Sequence, residues 1–413
     1  MARTVVRVPS ALPEGEPAPR DGALPAAALD GMERRDFGVY VHVPFCASRC
    51  GYCDFNTYTA AELGGGASRD NYLETLAQEF ALAKRVAGGS APPASTIFVG
   101  GGTPTLLRAD ELTAIVSMVA DTFGLTDDAE VTTEANPESV DAAYLSTLRR
   151  GGFTRLSLGM QSTSRHVLSI LDRDHTPGRA LDVARTARDV GFDHVNLDLI
   201  YGTPGETPDD FAASVRAAID VGADHVSAYA LIVEDGTALA RRIRRGDLPY
   251  PSDDVAADRY LAAERLLTDA GLTWYEVSNW ATTPVAQCRH NLLYWRSDNW
   301  WGFGPGAHSH IGGLRWWNVK HPSRYARQLE AGESPAAGRE TLTSDQRYVE
   351  TVMLRTRLRE GLAISSLNGP GRDAARDAVE RGLLDEAAFT TGRAILTLRG
   401  RLLADAVVRD LID

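Results

Sequence analysis

Three of the four cysteines of this chain fall within eight residues, as Cys46-Ala-Ser-Arg-Cys50-Gly-Tyr52-Cys53; the fourth is Cys288. Thiolates are soft ligands that suit zinc or iron–sulfur clusters. A structural zinc site takes four protein ligands, normally from paired C-x-x-C knuckles. Here a three-residue gap precedes a two-residue gap, and no fourth Cys or His follows closely. Three thiolates on a four-iron four-sulfur (4Fe-4S) cluster leave one iron open to a small chelating molecule, and the spacing favours that reading. Zinc and inert buried thiols are the competing readings. Cys288 reads as a buried thiol. A disulfide framework would spread its cysteines through a short secreted chain. The clustering instead points to a metal site in a reducing compartment.

Other chemistry-bearing residues are scattered more widely. Gly100-Gly101-Gly102-Thr103-Pro104-Thr105 lacks the Gly-Lys-Ser/Thr ending of a phosphate loop, but its glycines would let backbone approach a ligand. Carboxylates stand at Glu134 and Asp198, with Gln161 and Arg173 between them. A carboxylate can accept hydrogen bonds from two hydroxyls at once. Further on, His290-Asn291-Leu-Leu-Tyr294-Trp295 lies among all seven tryptophans of the chain, Trp274 to Trp317. An imidazole there offers a ligand for iron or a partner for a propionate. Tyr294, four residues on, shares its face if the segment is helical. Flat apolar walls suit a macrocycle, although an aromatic core joining two domains would look the same.

Something must bring these residues together. Short β-branched runs at 39–43, 97–99, 130–134, 155–158, 195–200 and 226–231 alternate with helical patterns at 71–86, 110–122, 140–149, 179–190, 208–221 and 254–270. Strand followed by helix, six times, implies parallel strands joined by right-handed crossovers. The expected fold class is α/β, a partial (β/α)6 TIM-like barrel, with a doubly wound sheet as the competing fold. The cysteines, the glycine run, Glu134, Gln161, Asp198 and Tyr229-Ala230 all sit at or just after strand C-terminal ends. That is the face where barrel chemistry gathers. Around the barrel of 37–270 we expect a flexible Pro/Ala-rich arm (1–36), an aromatic-rich connecting region (271–340) and a small helical or winged-helix-like domain (341–413).

Composition bounds the partners. The chain has 413 residues, 44% hydrophobic, with a net charge of -12. Such an acidic surface argues against nucleic acid as the main partner. No run of about 18 apolar residues suggests a membrane span, and no signal-peptide pattern opens the chain, so cytoplasmic location is the expectation. Peripheral membrane contact and the choice between monomer and dimer are left open.

The C-x3-C-x2-C spacing with an aromatic before its last Cys resembles the signature of the radical S-adenosylmethionine (SAM) superfamily. The resemblance implies a 4Fe-4S cluster on Cys46, Cys50 and Cys53, with SAM on the open iron. It assigns Gly101, Gly102 and Thr103 to the methionine end of SAM and Glu134 to its ribose hydroxyls. Gln161 becomes another SAM contact, Arg173 a partner of the SAM carboxylate, and Asp198 a ribose or adenosine contact. Tyr52 is placed at adenine through its backbone, and Ala230 is carried over with them.

From Val39 onward the chain is similar to the group that holds oxygen-independent coproporphyrinogen III oxidase and the HemW-type heme chaperones. The resemblance rests on Val-His-Val-Pro-Phe-Cys46, Asn-Leu-Asp198-Leu-Ile-Tyr-Gly-Thr-Pro-Gly and the tail Leu-Thr-Leu-Arg-Gly-Arg-Leu-Leu-Ala-Asp. The oxidase pattern calls for a fourth cysteine two positions after the third, where this chain has Phe55, and for an N-terminal substrate-shaping segment. The motif H-N-x-x-Y-W resembles the chaperone branch, where it is associated with heme. The resemblance therefore implies a heme-binding carrier, with His290, Asn291, Tyr294 and Trp295 at the heme, an electron donor, and heme-accepting respiratory-chain proteins as partners. The alternative is an oxidase that decarboxylates coproporphyrinogen III with the SAM-derived radical. Whether SAM is turned over by this chain is left open.

Overall fold

The computed structural model describes residues 15–30, 32–63, 69–173 and 175–412. The six expected strands form, as β1 (Phe37–Val43), β2 (Ala94–Gly101), β3 (Leu125–Ala135), β4 (Arg155–Gln161), β5 (His194–Tyr201) and β6 (His225–Ala230). They lie side by side in sequence order and all parallel. Helices return the chain between them, such as Tyr72–Ala87, Ala109–Phe123, Arg179–Val190 and Pro208–Asp220. The last of these starts where the sequence says it should. Pro208 is at the first helical position, and Thr207 and Asp210 form a capping box. Helix Arg179–Val190 buries Ala180, Val183, Ala184 and Ala187, an i, i+3, i+4, i+7 stripe of small residues that packs on β4 and β5.

Strand composition follows from helices on one face and a concave, cavity-lining face on the other. Every residue of β4 is buried. In β5, Val195, Leu197 and Leu199 join the main apolar core, whereas Asn196 and Asp198 point to the other, concave face. The same alternation puts Thr132 and Glu134, Arg155 and Ser157, and His225, Ser227 and Tyr229 on that concave face. Its interior is polar, and the apolar core lies between strands and outer helices.

Residues 271–340, expected as a connecting region, instead extend the sheet at both ends. β7 (Thr273–Glu276) and β8 (Asn279–Ala281) add antiparallel beyond β6. β9 (Asn299–Phe303) pairs parallel with β1, and β10 (His308–Ile311), β11 (Leu314–Asn318) and β12 (Ala336–Thr341) continue antiparallel from it. The result is an open, mixed twelve-stranded sheet that does not close on itself. The tryptophans mostly build these flanks: Trp280, Trp301 and Trp316 lie in the main core, and Trp317 is buried beside Gly15 and Gly338. The expected mobile arm also gives way from Gly15 onward. Glu16 and Arg339 exchange backbone hydrogen bonds of 2.8 and 2.9 Å along β12, because a free sheet edge offers unpaired donors and acceptors. Residues 1–14 lie outside the described residues.

Beyond β12, a second apolar cluster (Val352, Leu362, Ala375, Val407, Leu411 and neighbours) organises a small unit of its own. It is helical, with one two-stranded pair joining Leu362–Ala363 to Arg393–Ala394.

Candidate functional site

The C-terminal ends of β1 to β6 open on one cavity of about 680 Å³. Its wall includes Cys46, Cys50 and Cys53, together with Tyr52, Gly101, Gly102, Thr103, Glu134, Gln161, Arg173, Asp198 and Ala230. All twelve residues expected at the cluster and at SAM therefore meet in one place, from six different strand ends. The three thiols are free and half-buried, while Cys288 is buried far along the chain and away from this cavity.

The residues present fit the two groups. Gly102 sits so close under the cysteine loop that a Cβ there would lie 2.4 Å from the Phe45 carbonyl oxygen and 3.1 Å from Cys46 Sγ. Gly101 has φ +115°, which side-chain-bearing residues rarely adopt. Its N–H donates to Glu134 Oε2 at 3.0 Å. Arg173 Nη1 donates to Cys50 Sγ at 3.2 Å and Nη2 to the Gly159 carbonyl at 3.3 Å, which holds a guanidinium beside the thiols. Gln161 has φ +65° at the end of β4, a backbone strain found at sites where position matters more than stability. Burial pushes the Cys46 and Cys53 thiols up, so loading iron there must displace their protons.

Two carboxylates dominate the inner wall. Asp198 accepts from Asn196 Nδ2 at 2.8 Å and Ser157 Oγ at 3.0 Å. Burial raises its pKa. Burial, then the nearby Asp198 charge, pushes Glu134 up to about 7. Together they offer acceptor oxygens to a ligand rich in hydroxyl donors.

Glu134, Ser157, Asp198 and Tyr229 also line a second chamber of about 150 Å³, deeper in the concave face. Its floor is the helix Arg289–Arg296, which carries the H-N-x-x-Y-W motif. The structure divides that motif. His290, Asn291 and Tyr294 line the inner chamber, but Trp295 packs away from it with Tyr275, Leu292 and Leu358. His290 and Tyr294 share a face, as i, i+4 spacing requires, and they bond to each other: His290 Nε2 lies 2.9 Å from Tyr294 Oη. Nδ1 lies 2.7 Å from Thr96 Oγ1. The ring stacks on Phe98, centroids 5.3 Å apart, and burial pulls its pKa down to about 3. Both ring nitrogens are thus occupied. Of the tryptophans, Trp300 sets its ring edge-on to Tyr294 at 4.8 Å, while Trp280, Trp301, Trp316 and Trp317 pack the flanks of the sheet.

Several residues of this inner layer were not singled out from sequence. Arg155, Asn196, His225, Tyr275 and Glu130 form a hydrogen-bonded network that runs from Asp198 to Cys288. His225 Nδ1 lies 2.6 Å from Asn196 Oδ1 and Nε2 lies 2.8 Å from Tyr275 Oη, which accepts from Cys288 N at 3.3 Å. The signal was present as alternation: a parallel strand covered on both sides should be apolar throughout, yet these strands place a polar residue at every second position.

Comparison with known proteins agrees with the geometry. A family model described as the radical SAM superfamily matches residues 40–218. A Mycobacterium tuberculosis protein named heme chaperone HemW is 54% identical over 393 residues, covering 95% of this chain and 99% of the relative. Proteins of the same name from Bacillus subtilis and Escherichia coli are 32% and 34% identical, covering 89% and 85% of this chain and 97% and 92% of the relatives. Among solved structures, coproporphyrinogen III oxidase (HemN) from Escherichia coli superposes with a TM-score of 0.80 at 24% identity, covering 95% of this chain and 94% of that one. At that identity the match speaks for the fold alone.

Proposed function

Because this chain belongs to the HemW heme chaperone family within the radical SAM superfamily, we propose that it binds heme and passes it to acceptor proteins, with a cluster and SAM in the outer cavity. The observation that carries the reading is 54% identity across nearly the whole length of both chains to a protein named a heme chaperone. The oxidase reading has no comparable support, since its structural relative matches at the level of fold.

The superfamily implies a 4Fe-4S cluster and SAM, and we assign the cluster to Cys46, Cys50 and Cys53. When bound, the pair supplies one electron and a group that such an electron can release as a 5′-deoxyadenosyl radical. The chain's own residues do the positioning. The glycine run lets backbone N–H groups approach the methionine end. Glu134 and Asp198 accept from ribose hydroxyls. Arg173, already beside Cys50, is placed to pair with the SAM carboxylate. Tyr52, Gln161 and Ala230 complete the wall.

We assign heme to the helix Arg289–Arg296, with His290 as the candidate iron ligand and Asn291 and Tyr294 beside it on the chamber side, while Trp295 anchors the helix against Tyr275 and Leu358. Cytoplasmic location, an electron donor and respiratory-chain acceptors belong to the same proposal; among the described residues no helix is long and apolar enough to cross a membrane. Hemin added to the reconstituted full chain should give a Soret band that His290→Ala weakens. Coproporphyrinogen III with SAM and a reductant should yield no protoporphyrinogen. Turnover without hemin binding would replace this reading by the oxidase one.

A further inference from the structure

Resting on the heme reading, the geometry points to a gate: Glu130 and Arg155 are positioning residues that latch the helix Arg289–Arg296 into the barrel, and hemin reaches His290 only when that helix leaves it.

The need for movement follows from space and bonding. His290 is 1% exposed, and both its nitrogens already have partners. The chamber it faces holds about 150 Å³. Clefts for drug-sized ligands run from about 300 to 1,000 Å³, and a tetrapyrrole is no smaller than those ligands. An iron ligand needs a free nitrogen lone pair, and the macrocycle needs room in front of it. Neither exists while the helix is seated.

The latch is built from the barrel side. Cys288, at the helix N-cap, makes no side-chain capping bond. A carboxylate from β3 does that work: Glu130 accepts from Arg289 N at 3.2 Å and from His290 N at 3.1 Å. Arg155 Nε donates to Glu130 at 3.0 Å, and its Nη2 grips the carbonyls of Ala286 and Gln287 at 2.9 and 3.0 Å. Gly38 in β1 leaves the room: a Cβ there would lie 2.5 Å from both Leu293 Cδ1 and Thr96 Oγ1.

This seat is more polar than those of the outer helices. They bury apolar stripes, which nothing in water replaces. The seat of Arg289–Arg296 buries only Leu292 and Leu293 among its apolar residues, and it rests on an ion pair, hydroxyls and amides besides. Arg155 Nη1, Thr132 Oγ1 and Asn279 Oδ1 in the same chamber have no hydrogen-bond partner. Water can satisfy all of these groups once the helix leaves, and a buried ion pair returns much of its desolvation cost on exposure. Its far end is held by the half-exposed Arg296–Glu360 pair at 2.7 Å, a contact of the weak surface type, and by Arg355 donating to the Arg296 carbonyl at 3.1 Å.

Stopped-flow hemin binding and amide hydrogen exchange on the reconstituted full chain test the gate. The observed rate should level off as hemin rises, at the opening rate of the helix. Gly38→Ala, which wedges the seat, and Thr96→Val, which removes the Nδ1 partner, should raise that plateau roughly tenfold, the effect of losing about one hydrogen bond. Amides of residues 290–296 should exchange faster in the hemin complex. If either variant misfolds, the wild-type exchange decides. A rate linear in hemin with unchanged protection at 290–296, while His290→Ala loses the band, overturns the gate and leaves the heme reading standing. No band in wild type or in Gly38→Ala, or a full band in His290→Ala, overturns the assignment to His290 and the gate with it.

Discussion

Cys46, Cys50 and Cys53 differ from Cys288 by surroundings. The first three line an open cavity. Cys288 is 7% exposed, its thiol pushed up to about 12 by burial, 3.7 Å from Glu130 Oε1. Replacing any of the three by Ser should abolish iron loading on anaerobic reconstitution, and Cys288→Ser should retain it; iron and sulfide analysis reads the difference. Glu134 makes a second, pH-dependent prediction. Its carboxyl is raised to about 7, so it is mostly protonated below that pH and ionised above it. Ribose hydroxyls donate to the ionised form and favour it. SAM affinity should therefore rise as pH climbs through about 7, with a proton released on binding, and Glu134→Gln should flatten the profile. Titrations at pH 6 and 8, followed by the cluster's electron paramagnetic resonance, measure this; an affinity that falls with pH would remove Glu134 from the site.

The elements explain why these residues need each other. A strand end can aim one side chain at the mouth, but only a glycine turn lets the next strand's backbone come under it. Gly102 is the tightest such point against the cysteine loop. In Gly102→Ala the new methyl meets the Phe45 carbonyl, backbone that cannot rotate away, so one loop must shift. Overpacking of this sort costs about 1–3 kcal/mol, and we expect SAM binding to weaken about tenfold with the barrel still folded. SAM titration beside circular dichroism reads both. The glycine run was legible as a ligand loop from its composition. The polar layer beneath it was harder to see, because Arg155, Asn196 and His225 each look ordinary alone. Their shared direction appears only once β4, β5 and β6 are in register.

Across the whole molecule, the barrel and the C-terminal unit meet at several points, among them Leu358 packed against Tyr275 and Leu292, the Arg296–Glu360 pair, and a buried ion pair of Arg401. Arg401 Nη1 and Nη2 donate to Glu264 at 2.8 and 2.6 Å, Nη1 also to Tyr260 Oη at 3.1 Å, and the guanidinium lies 4.3 Å over the Trp274 ring. Arg401 is almost wholly buried. Removing one partner of a buried pair costs about 3–5 kcal/mol, and Arg401→Ala should approach the lower figure because Glu264 keeps some access to water. All the tryptophans lie outside the C-terminal unit. In denaturant, the variant should therefore lose part of its helical circular dichroism before the bulk of its tryptophan fluorescence changes, with any early shift confined to Trp274 and Trp295, which touch the unit. Coincident transitions would show that the units unfold together without this contact.

Local chemistry was enough to determine much of this protein. The spacing of three thiols, the glycine run and six strand–helix alternations each depend on neighbours in the chain, and covalent geometry makes such patterns legible. From them followed the cluster loop, the parallel order of β1 to β6 and a mouth where strand ends gather; the family resemblance named the SAM residues that line it. The tertiary structure alone decided where residues 271–340 go, because β8 joins the sheet edge at β6 and β9 the opposite edge at β1, where Asn299 pairs with Phe37 from the far end of the barrel sequence. It also decided the state of His290. A histidine four residues before a tyrosine in an aromatic stretch reads equally as an open ligand or as part of a plug. Only the seating of its helix over Gly38, Thr96 and Glu130 distinguishes the two, since burial and hydrogen-bond occupancy are properties of the packed interior.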